Sequence, residues 1–443
     1  TPMKTNRKIS PWMWIPTLYF AEGIPYFLVN NISVMMFTKM GVPNGDMALF
    51  TSLLYLPWTI KPFWSPFVDI FKTKRWWVIA MQLLMTAAFV LLTLTIPHPS
   101  ADVIASGQTP ISLFTVMLFI FILVAFASAT HDIAADGFYM LGLSEHEQAS
   151  FVGIRSTFYR LSSIFGQGVL LVIAGILESR MNNIPVAWQL TLLITSVIFA
   201  ILTLWHIFFV PRPANDISSL SSRESQVSVR TIVREFIRTF ITYFQKKGVL
   251  IAILFMLCYR LPEAFLIKMI NPFLVAPLEK GGLALPTEDV GIVYGTIGIL
   301  FLTIGGILGG WFASSRGLKG SLWWMVGCMT LPCLSFVYLS IFQPSNLVAI
   351  ATSIAIEQFG YGFGFTAYML YMMYFSEGEF KTAHYAICTA FMALSMMLPG
   401  MVAGYLQEAV GYVNFFLIVM LCCLATIGVS TLIKIDSSYG IKK

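Results

Sequence analysis

The sequence predicts an all-α integral membrane protein, with twelve transmembrane helices in two six-helix halves. Three observations carry this expectation. The first is composition: of 443 residues, 57% are hydrophobic and only 11% are charged, against roughly 25% charged in a soluble chain. The second is length. Apolar runs recur from end to end, each near the roughly 20 residues that a helix needs to cross a hydrocarbon core. The third is the placement of Lys and Arg, which crowd alternate loops.

The apolar runs define segments 1 to 12 at residues 12–37, 47–69, 76–97, 111–141, 149–177, 187–210, 248–276, 288–312, 321–342, 346–375, 382–408 and 411–435. Segment 1 follows Lys4, Arg7 and Lys8. It is too long for a signal peptide and has no small-residue cleavage site, and Met3 reads as the native start. One set of loops holds most of the base, including Lys72, Lys74, Arg75, Arg212, Arg230, Arg234, Arg238, Arg316 and Lys319. The opposite loops hold only Lys39, Arg180 and Lys280. That bias predicts cytoplasmic N- and C-termini. The net charge of +6 reflects these loops and does not call for nucleic acid. All six cysteines lie in apolar segments and read as packing residues rather than disulfides or metal ligands.

The organisation expected is an N-terminal half (1–210), a linker (211–247) and a C-terminal half (248–443). Within the linker, Val229, Ile232, Val233, Phe236, Ile237 and Phe240 recur at helical spacing, with Arg230, Arg234 and Arg238 on another face. This predicts an amphipathic helix at the cytoplasmic interface, with binding of a partner protein as the alternative. The halves echo one another. Lys39-Met40-Gly41 with Asn44-Gly45-Asp46 matches Lys280-Gly281-Gly282 with Thr287-Glu288-Asp289, each a short loop and a capped helix start. Trp76-Trp77 matches Trp323-Trp324, and Leu143-Ser144-Glu145 matches Phe375-Ser376-Glu377. A parallel six-helix repeat places a solute site near mid-membrane, between the halves.

Charged residues inside apolar segments are costly and mark function or pairing. The acids are Glu22, Asp132, Asp136, Glu263 and Glu357; the bases are Lys61, Arg155, Arg160, Arg260 and Lys268. Asp132 and Asp136 share a helix face. Asp136 is in reach of Arg155 or Arg160, as a gate or a structural bridge. Tyr19, Glu22, Tyr26 and Asn30 form a polar stripe on segment 1, and the neighbouring Gly23 and Pro25 could break that helix and admit water. Arg260 and Glu263 are three apart and close enough to pair. Lys268 and Asn271 share a face with no local acid, so Lys268 is a candidate for an anionic solute, with snorkelling or pairing to Glu357 as the alternative. Glu357, Gln358, Tyr361 and Tyr368 on segment 10 offer polar groups and ring faces. Gly360, Gly362 and Gly364 beside them, like Gly305, Gly306, Gly309 and Gly310 on segment 8, read as packing residues. His131 could carry protons near neutral pH, or be a packing histidine.

At these residues the chain resembles the AmpG-like permeases, which share a wider group with acetyl-CoA transporters in the major facilitator superfamily. Lys61-Pro62-Phe63-Trp64-Ser65-Pro66-Phe67-Val68-Asp69 is similar to the family's K-x-x-W-S-P-x-x-D. Ser128-Ala129-Thr130-His131-Asp132-Ile133-Ala134-Ala135-Asp136 resembles S-A-(S/T)-Q-D-I-x-x-D, with His131 in place of glutamine. Tyr159-Arg160-Leu161 is similar to its Y-R-L. Tyr259-Arg260-Leu261-Pro262-Glu263-Ala264 resembles Y-K-x-x-D-A, with glutamate in place of aspartate. Glu357-Gln358 and the glycines after it are similar to the family's tenth segment.

The resemblance implies proton-driven import of a bulky amphipathic solute, with anhydro-muropeptides the first expectation and CoA-like anions, peptides or siderophores the alternatives. Asp132 or Glu22, with His131, would serve proton coupling. Lys61, Arg160, Arg260 and Lys268 would meet anionic groups, and Asp69, Asp136 and Arg155 would form a gate. No cofactor or metal is expected. The partners expected are a small solute, protons and the lipid bilayer, in a monomer of the bacterial inner membrane. A membrane-embedded enzyme is the alternative of another class. It would need a nucleophile–base or metal constellation, for which only His131-Asp132 and His384 are available.

Overall fold

The computed structural model describes residues 9–217 and 229–440. Lys4, Arg7, Lys8, Arg223 and the last two lysines fall outside them. The described elements are helices joined by short turns, and each expected apolar segment is occupied by helix. By length and composition, seven stretches among the described residues can cross a bilayer by themselves; two of these, Thr287–Phe342 and Lys381–Leu432, each cover two adjacent segments.

The turns explain how long helices reverse without long loops. Gly41 and Gly281 take φ of 79° and 84° after segments 1 and 7, and Lys72 and Gly317 take 62° and 74° after segments 2 and 8. Asn182 and Gly411 take 49° and 76° after segments 5 and 11. A left-handed residue ends a helix sharply, and it recurs at corresponding corners along the chain.

The chain after segment 6 folds back on the start of segment 3. The Asp216 carboxylate accepts the backbone N–H of Lys74 at 2.7 Å and of Arg75 at 2.9 Å. Arg75 in turn donates to the carbonyls of Ile207 and Val210. A carboxylate at a helix N-terminus satisfies orphan donors and complements the helix dipole. These contacts put the basic 72–75 turn and the start of the linker at one end of the molecule.

The linker helix, Val229–Phe244, has two apolar faces. Phe240 stacks on Phe63 at 5.2 Å, and Tyr243 is buried with its hydroxyl 3.4 Å from Cys388 Sγ. Val233, Ile237, Ile241 and Phe244 are exposed along the other face. His384 Nε2 lies 3.1 Å from both Thr242 Oγ1 and the Thr239 carbonyl, which ties segment 11 to the linker helix.

At the opposite end, the expected caps are used differently from the sequence expectation. Pro43 and Pro286, not Asn44 and Thr287, occupy the N-cap positions. Asn44 instead donates to Gln407 Oε1 at 2.7 Å and Tyr412 Oη at 3.1 Å, and the Gly45 N–H donates to Glu408 at 2.7 Å. Thr287 donates to Glu178 at 2.8 Å, a carboxylate that also takes Trp188 Nε1 and sits 3.4 Å from Lys39. Segments 2 and 11, and segments 5 and 8, are thereby bound across the molecule. Their backbones approach closely: a Cβ on Gly404 would lie 1.9 Å from the Asn44 carbonyl, and one on Gly295 1.8 Å from that of Gln167.

Glycine packing also sets segments 8, 9 and 10 together. Gly362 faces segment 8, with the Leu302 carbonyl 2.0 Å from where a Cβ would stand, while Gly360 and Gly364 face Cys328, Pro332 and Met325 of segment 9. Gly305 and Gly309 are tight as expected, whereas Gly310 is open. Replacing Gly362 by valine therefore forces backbone displacement. It is expected to cost about 1–3 kcal/mol, read as a lower midpoint of thermal unfolding, while Gly310→Ala, with open space around it, does not lower the midpoint.

Candidate functional site

A central cavity of about 320 Å³ is lined from segments 1, 2, 5, 7, 8, 10 and 11. Lys61 and Arg260 are its cations, and among the described residues no carboxylate lines it. Its wall is aromatic: Tyr26, Tyr55 and Trp58 on one side, Tyr294, Tyr361 and Phe365 on the other. Tyr26 meets Trp58 edge-on at 5.1 Å and Tyr55 at 6.4 Å.

Three helices reach this cavity through wide π turns: Leu28–Ile32, Phe165–Val169 and Val293–Gly298. Each turn presents one polar side chain to the cavity, Asn31, Gln167 and Tyr294. Asn31 donates to Gln167 Oε1 at 3.1 Å, and Gln167 donates to Ser163. Such bulges frequently mark functional positions, because they re-aim side chains without ending a helix.

The first π turn corrects the expected stripe on segment 1. Asn30 is buried and donates to the Tyr26 carbonyl at 3.0 Å; the extra residue in the turn rotates Asn31 into the cavity instead. Gly23 and Pro25 do not break the helix, which runs from Ile15 to Phe27. Gly23 serves a close approach, since a Cβ there would lie 2.5 Å from Ser162 Oγ.

The acids of the N-terminal segments lie behind the cavity wall. Asp132 accepts Trp58 Nε1 at 3.3 Å, so the indole separates the carboxylate from the cavity while touching both. Glu22 is half-buried, with its buried Oε2 lacking a partner. Asp136 pairs with Arg155 at 2.9 Å, settling the choice between the two arginines, and accepts Tyr19 Oη at 3.4 Å. Arg155 stacks on Tyr19 and Tyr139. Arg160 is exposed and donates to Thr303 on segment 8 at 3.4 Å. The side chain of Asp69 lies outside the described ones.

His131 does not join this cluster. Its Nε2 lies 3.0 Å from the Gln82 amide, whose oxygen is 2.9 Å from His206 Nδ1, and His206 Nε2 reaches Thr17 at 3.0 Å. The rotation of about 100° per residue along a helix carries His131 to segments 3 and 6, away from Asp132. This is the placement of a hydrogen-bonded packing histidine, the alternative reading for His131.

On the C-terminal side, the expected Arg260–Glu263 pair is absent. Arg260 donates to the Tyr361 hydroxyl and lies over the rings of Phe365, Tyr361 and Tyr368 at 4.7, 5.6 and 5.7 Å. Lys268 is buried outside the cavity lining; it donates to Thr51 Oγ1 at 3.2 Å and lies 5.5 Å from the Tyr55 ring. It thus ties segment 7 to segment 2 rather than waiting for a ligand or pairing with Glu357. Asn271, Glu263 and Glu357 are buried and Tyr368 donates to the Met256 carbonyl at 2.6 Å; none of the four lines the cavity. Gln358 and Tyr361 do line it.

The cavity is shut from the Lys39 and Lys280 end by two layers. Thr51–Lys268 and Ser52 against Gly400 form the inner one; Asn44, Gly45, Gln407 and Glu408 form the outer one. A larger recess of about 610 Å³ lies beyond them, lined by Lys39, Lys280, Gln407 and Glu408. It is the bigger volume, but it opens outside the seal and holds none of the intramembrane charges, so the central cavity is the candidate site.

Sequence reasoning missed Asn31, Tyr55, Trp58, Gln167 and Tyr294. Gln167 had a usable signal: an amide between Gly166 and Gly168 in an apolar run.

A family profile described as Major Facilitator Superfamily matches residues 17–398. The chain belongs to the major facilitator superfamily. It is 25% identical over 423 residues to "Putative transporter AmpG 4" of Rickettsia conorii, with 92% of each chain covered. It is 24% identical over 407 residues to the "Anhydromuropeptide permease" of Escherichia coli K12, covering 90% of this chain and 75% of that one. Among solved structures it is similar to a D-xylose-proton symporter (TM-score 0.67, 11% identity, 96% and 98% covered). It is also similar to the nucleoside transporter NupG (TM-score 0.66, 14% identity, 94% and 96% covered). The superfamily protein is thus an AmpG-like multi-pass membrane transporter and not an enzyme.

The Asp136–Arg155 bridge is 45% and 31% exposed on its two sides. A pair so open to solvent contributes little to stability. Asp136→Asn is expected to lower stability by less than about 1 kcal/mol, checked by thermal unfolding. A loss as large as that of Gly362→Val would show the bridge to be structural.

Proposed function

We propose that this chain is a proton-coupled importer of a bulky amphipathic anion across a bacterial inner membrane, with anhydro-muropeptides the leading candidates. The carrying observation is the central cavity, where Lys61 and Arg260 face each other's side of an aromatic wall with no carboxylate among the lining residues. Cations select an anionic group. The Asn31–Gln167 amide pair and Gln358 match hydroxyls and peptide amides, and ring faces suit sugar C–H surfaces. At about 320 Å³ the cavity is at the low end of small-molecule sites, roughly 300–1,000 Å³. A bulky solute fills it and extends from it. Whole-chain similarity to the E. coli permease supports the choice of solute.

Transport proceeds by alternating access, in which the halves 1–210 and 248–443 rock about the cavity and residues 211–247 join them. The packing at the Lys39 and Lys280 end is that of a state closed on that side. With cytoplasmic termini, that side is the periplasmic one. Asp132, held to the cavity wall through Trp58, carries the coupling proton, with Glu22 beside it. A CoA-like anion, a peptide or a siderophore is the second reading, favoured by the two cavity cations.

Two measurements test this. In proteoliposomes, wild type is expected to accumulate a labelled disaccharide anhydro-muropeptide under an imposed proton gradient, and Asp132→Asn is expected to abolish accumulation while folding normally. Full gradient-driven uptake by Asp132→Asn removes the role given to Asp132; absence of uptake by wild type, with uptake of another anion, moves the solute assignment. Separately, cysteines at Asn44 and Gln407, whose side chains meet at 2.7 Å, are expected to cross-link and block uptake until reductant is added. Undiminished uptake by the cross-linked protein would falsify alternating access at this seam.

A further inference from the structure

Among the described residues Glu263 and Glu357 are the most deeply buried acids, 0% and 1% exposed, and the proposed transport cycle has not used them. Their placement follows from the helices that carry them. Arg260 on segment 7 donates to Tyr361 on segment 10. The two segments run antiparallel, so one turn further along each brings Glu263 opposite Glu357. The two carboxyl groups therefore face each other across the segments, both buried and close enough to interact.

That contact contains no donor if both are ionised. The Gln358 amide donates to Glu357 Oε2 at 2.7 Å, while both oxygens of Glu263 lack any donor. The groups facing the pair are Arg260 on segment 7, Tyr294 on segment 8, Cys333 on segment 9, Gln358 and Tyr361 on segment 10, and Cys423 on segment 12. Arg260 is the one cation among them. It is directed at Tyr361 and the cavity, with Nε unpartnered. Two desolvated carboxylates in contact cannot both hold a charge, and a single proton between them supplies the missing donor.

We propose that Glu263 and Glu357 share one proton, forming a second proton site coupled to solute binding through Arg260. This rests on the transport reading above. Arg260 is within one helical turn of the pair and also lines the cavity. With the cavity empty, its charge is available to stabilise ionised Glu263 and so favours release of the proton. A solute anion on the guanidinium cancels that field, so the pair keeps its proton while solute is bound. By linkage the effect is reciprocal, proton and anion each favouring the other. That is the requirement of symport.

The test reads the proton directly and needs no solute, provided that spectra start at a pH acid enough for the pair to hold its proton with the cavity empty. Infrared spectra of the purified full chain in lipid are expected to show a protonated-carboxyl carbonyl band. Glu263→Gln and Glu357→Gln should each remove it, and the double variant should remove no more than either alone. A band unchanged in either variant, or a double loss twice the single one, overturns the shared proton. If the glutamine variants do not fold, the comparison of wild type with Glu22→Gln/Asp132→Asn decides. A protonated-carboxyl band surviving in that variant and bleached by alkaline titration supports the pair, and a band wholly lost there overturns it. Failure of all solutes to be taken up would remove the transport reading and leave this band in place. Loss of the band with uptake intact in wild type removes only the pair.

Discussion

Two helix starts that could not be left buried and unsatisfied set the arrangement of this molecule. Segments 2 and 8 begin at the seam after prolines, and proline offers no side-chain cap. The first N–H groups of a helix have no intrahelical partner. Here the carboxylate of Glu408 reaches the Gly45 N–H, and Glu178 takes the Thr287 hydroxyl at the corresponding start. Each carboxylate comes from the other side of the seam. The exchange needs backbones in near contact, which Gly404 and Gly175 permit: a Cβ on Gly175 would lie 2.3 Å from the Glu288 nitrogen. Closure at this end and the depth of the cavity beneath it are therefore one fact. Breaking these contacts frees the Gly45 N–H and the Thr287 hydroxyl, donors that water can satisfy, which is the property a reversible seal requires.

Below the seal, the cavity is polar where helices are wide. A regular helix would have to choose between packing its neighbours and presenting an amide to solute, because each face serves one purpose. The π turns at 28–32, 165–169 and 293–298 avoid that choice by adding a residue. Gly168 and Gly295, in two of those turns, pack backbone to backbone, while Gln167 and Tyr294 beside them face the cavity. Packing and presentation are thus divided between adjacent residues.

The helical class, the charge inventory and the pairing of corners between the two parts of the chain are legible in the sequence, because each depends on composition or on local turn chemistry. Individual faces are less so. Of the stripe Tyr19, Glu22, Tyr26 and Asn30, Tyr26 lines the cavity, and at the π turn the next cavity-facing position passes from Asn30 to Asn31. Charged pairs are also poorly legible, since sequence proximity suggested Arg260 with Glu263, whereas aromatic rings and a tyrosine hydroxyl hold the guanidinium. Lys268, read as a free cation, is spent on Thr51 across the seam. The aromatic wall of Tyr55 and Trp58 carried no distinguishing pattern, because in an apolar segment such rings are indistinguishable from packing until the partner segments are placed.

The two sets of acids then differ in kind. Asp136 is half-exposed and bridged to Arg155, and Asp132 touches the cavity through an indole N–H, so both have partners that water could replace. Glu263 and Glu357 have each other and one amide, in a place water does not reach. Charge near the cavity wall can change with hydration as the halves move. Charge at the glutamate pair can change only if a proton or Arg260 moves. A cycle that must bind solute and proton together needs a group that senses the solute's charge without touching the solute, and Arg260, lining the cavity on one side and facing the pair on the other, is placed for it.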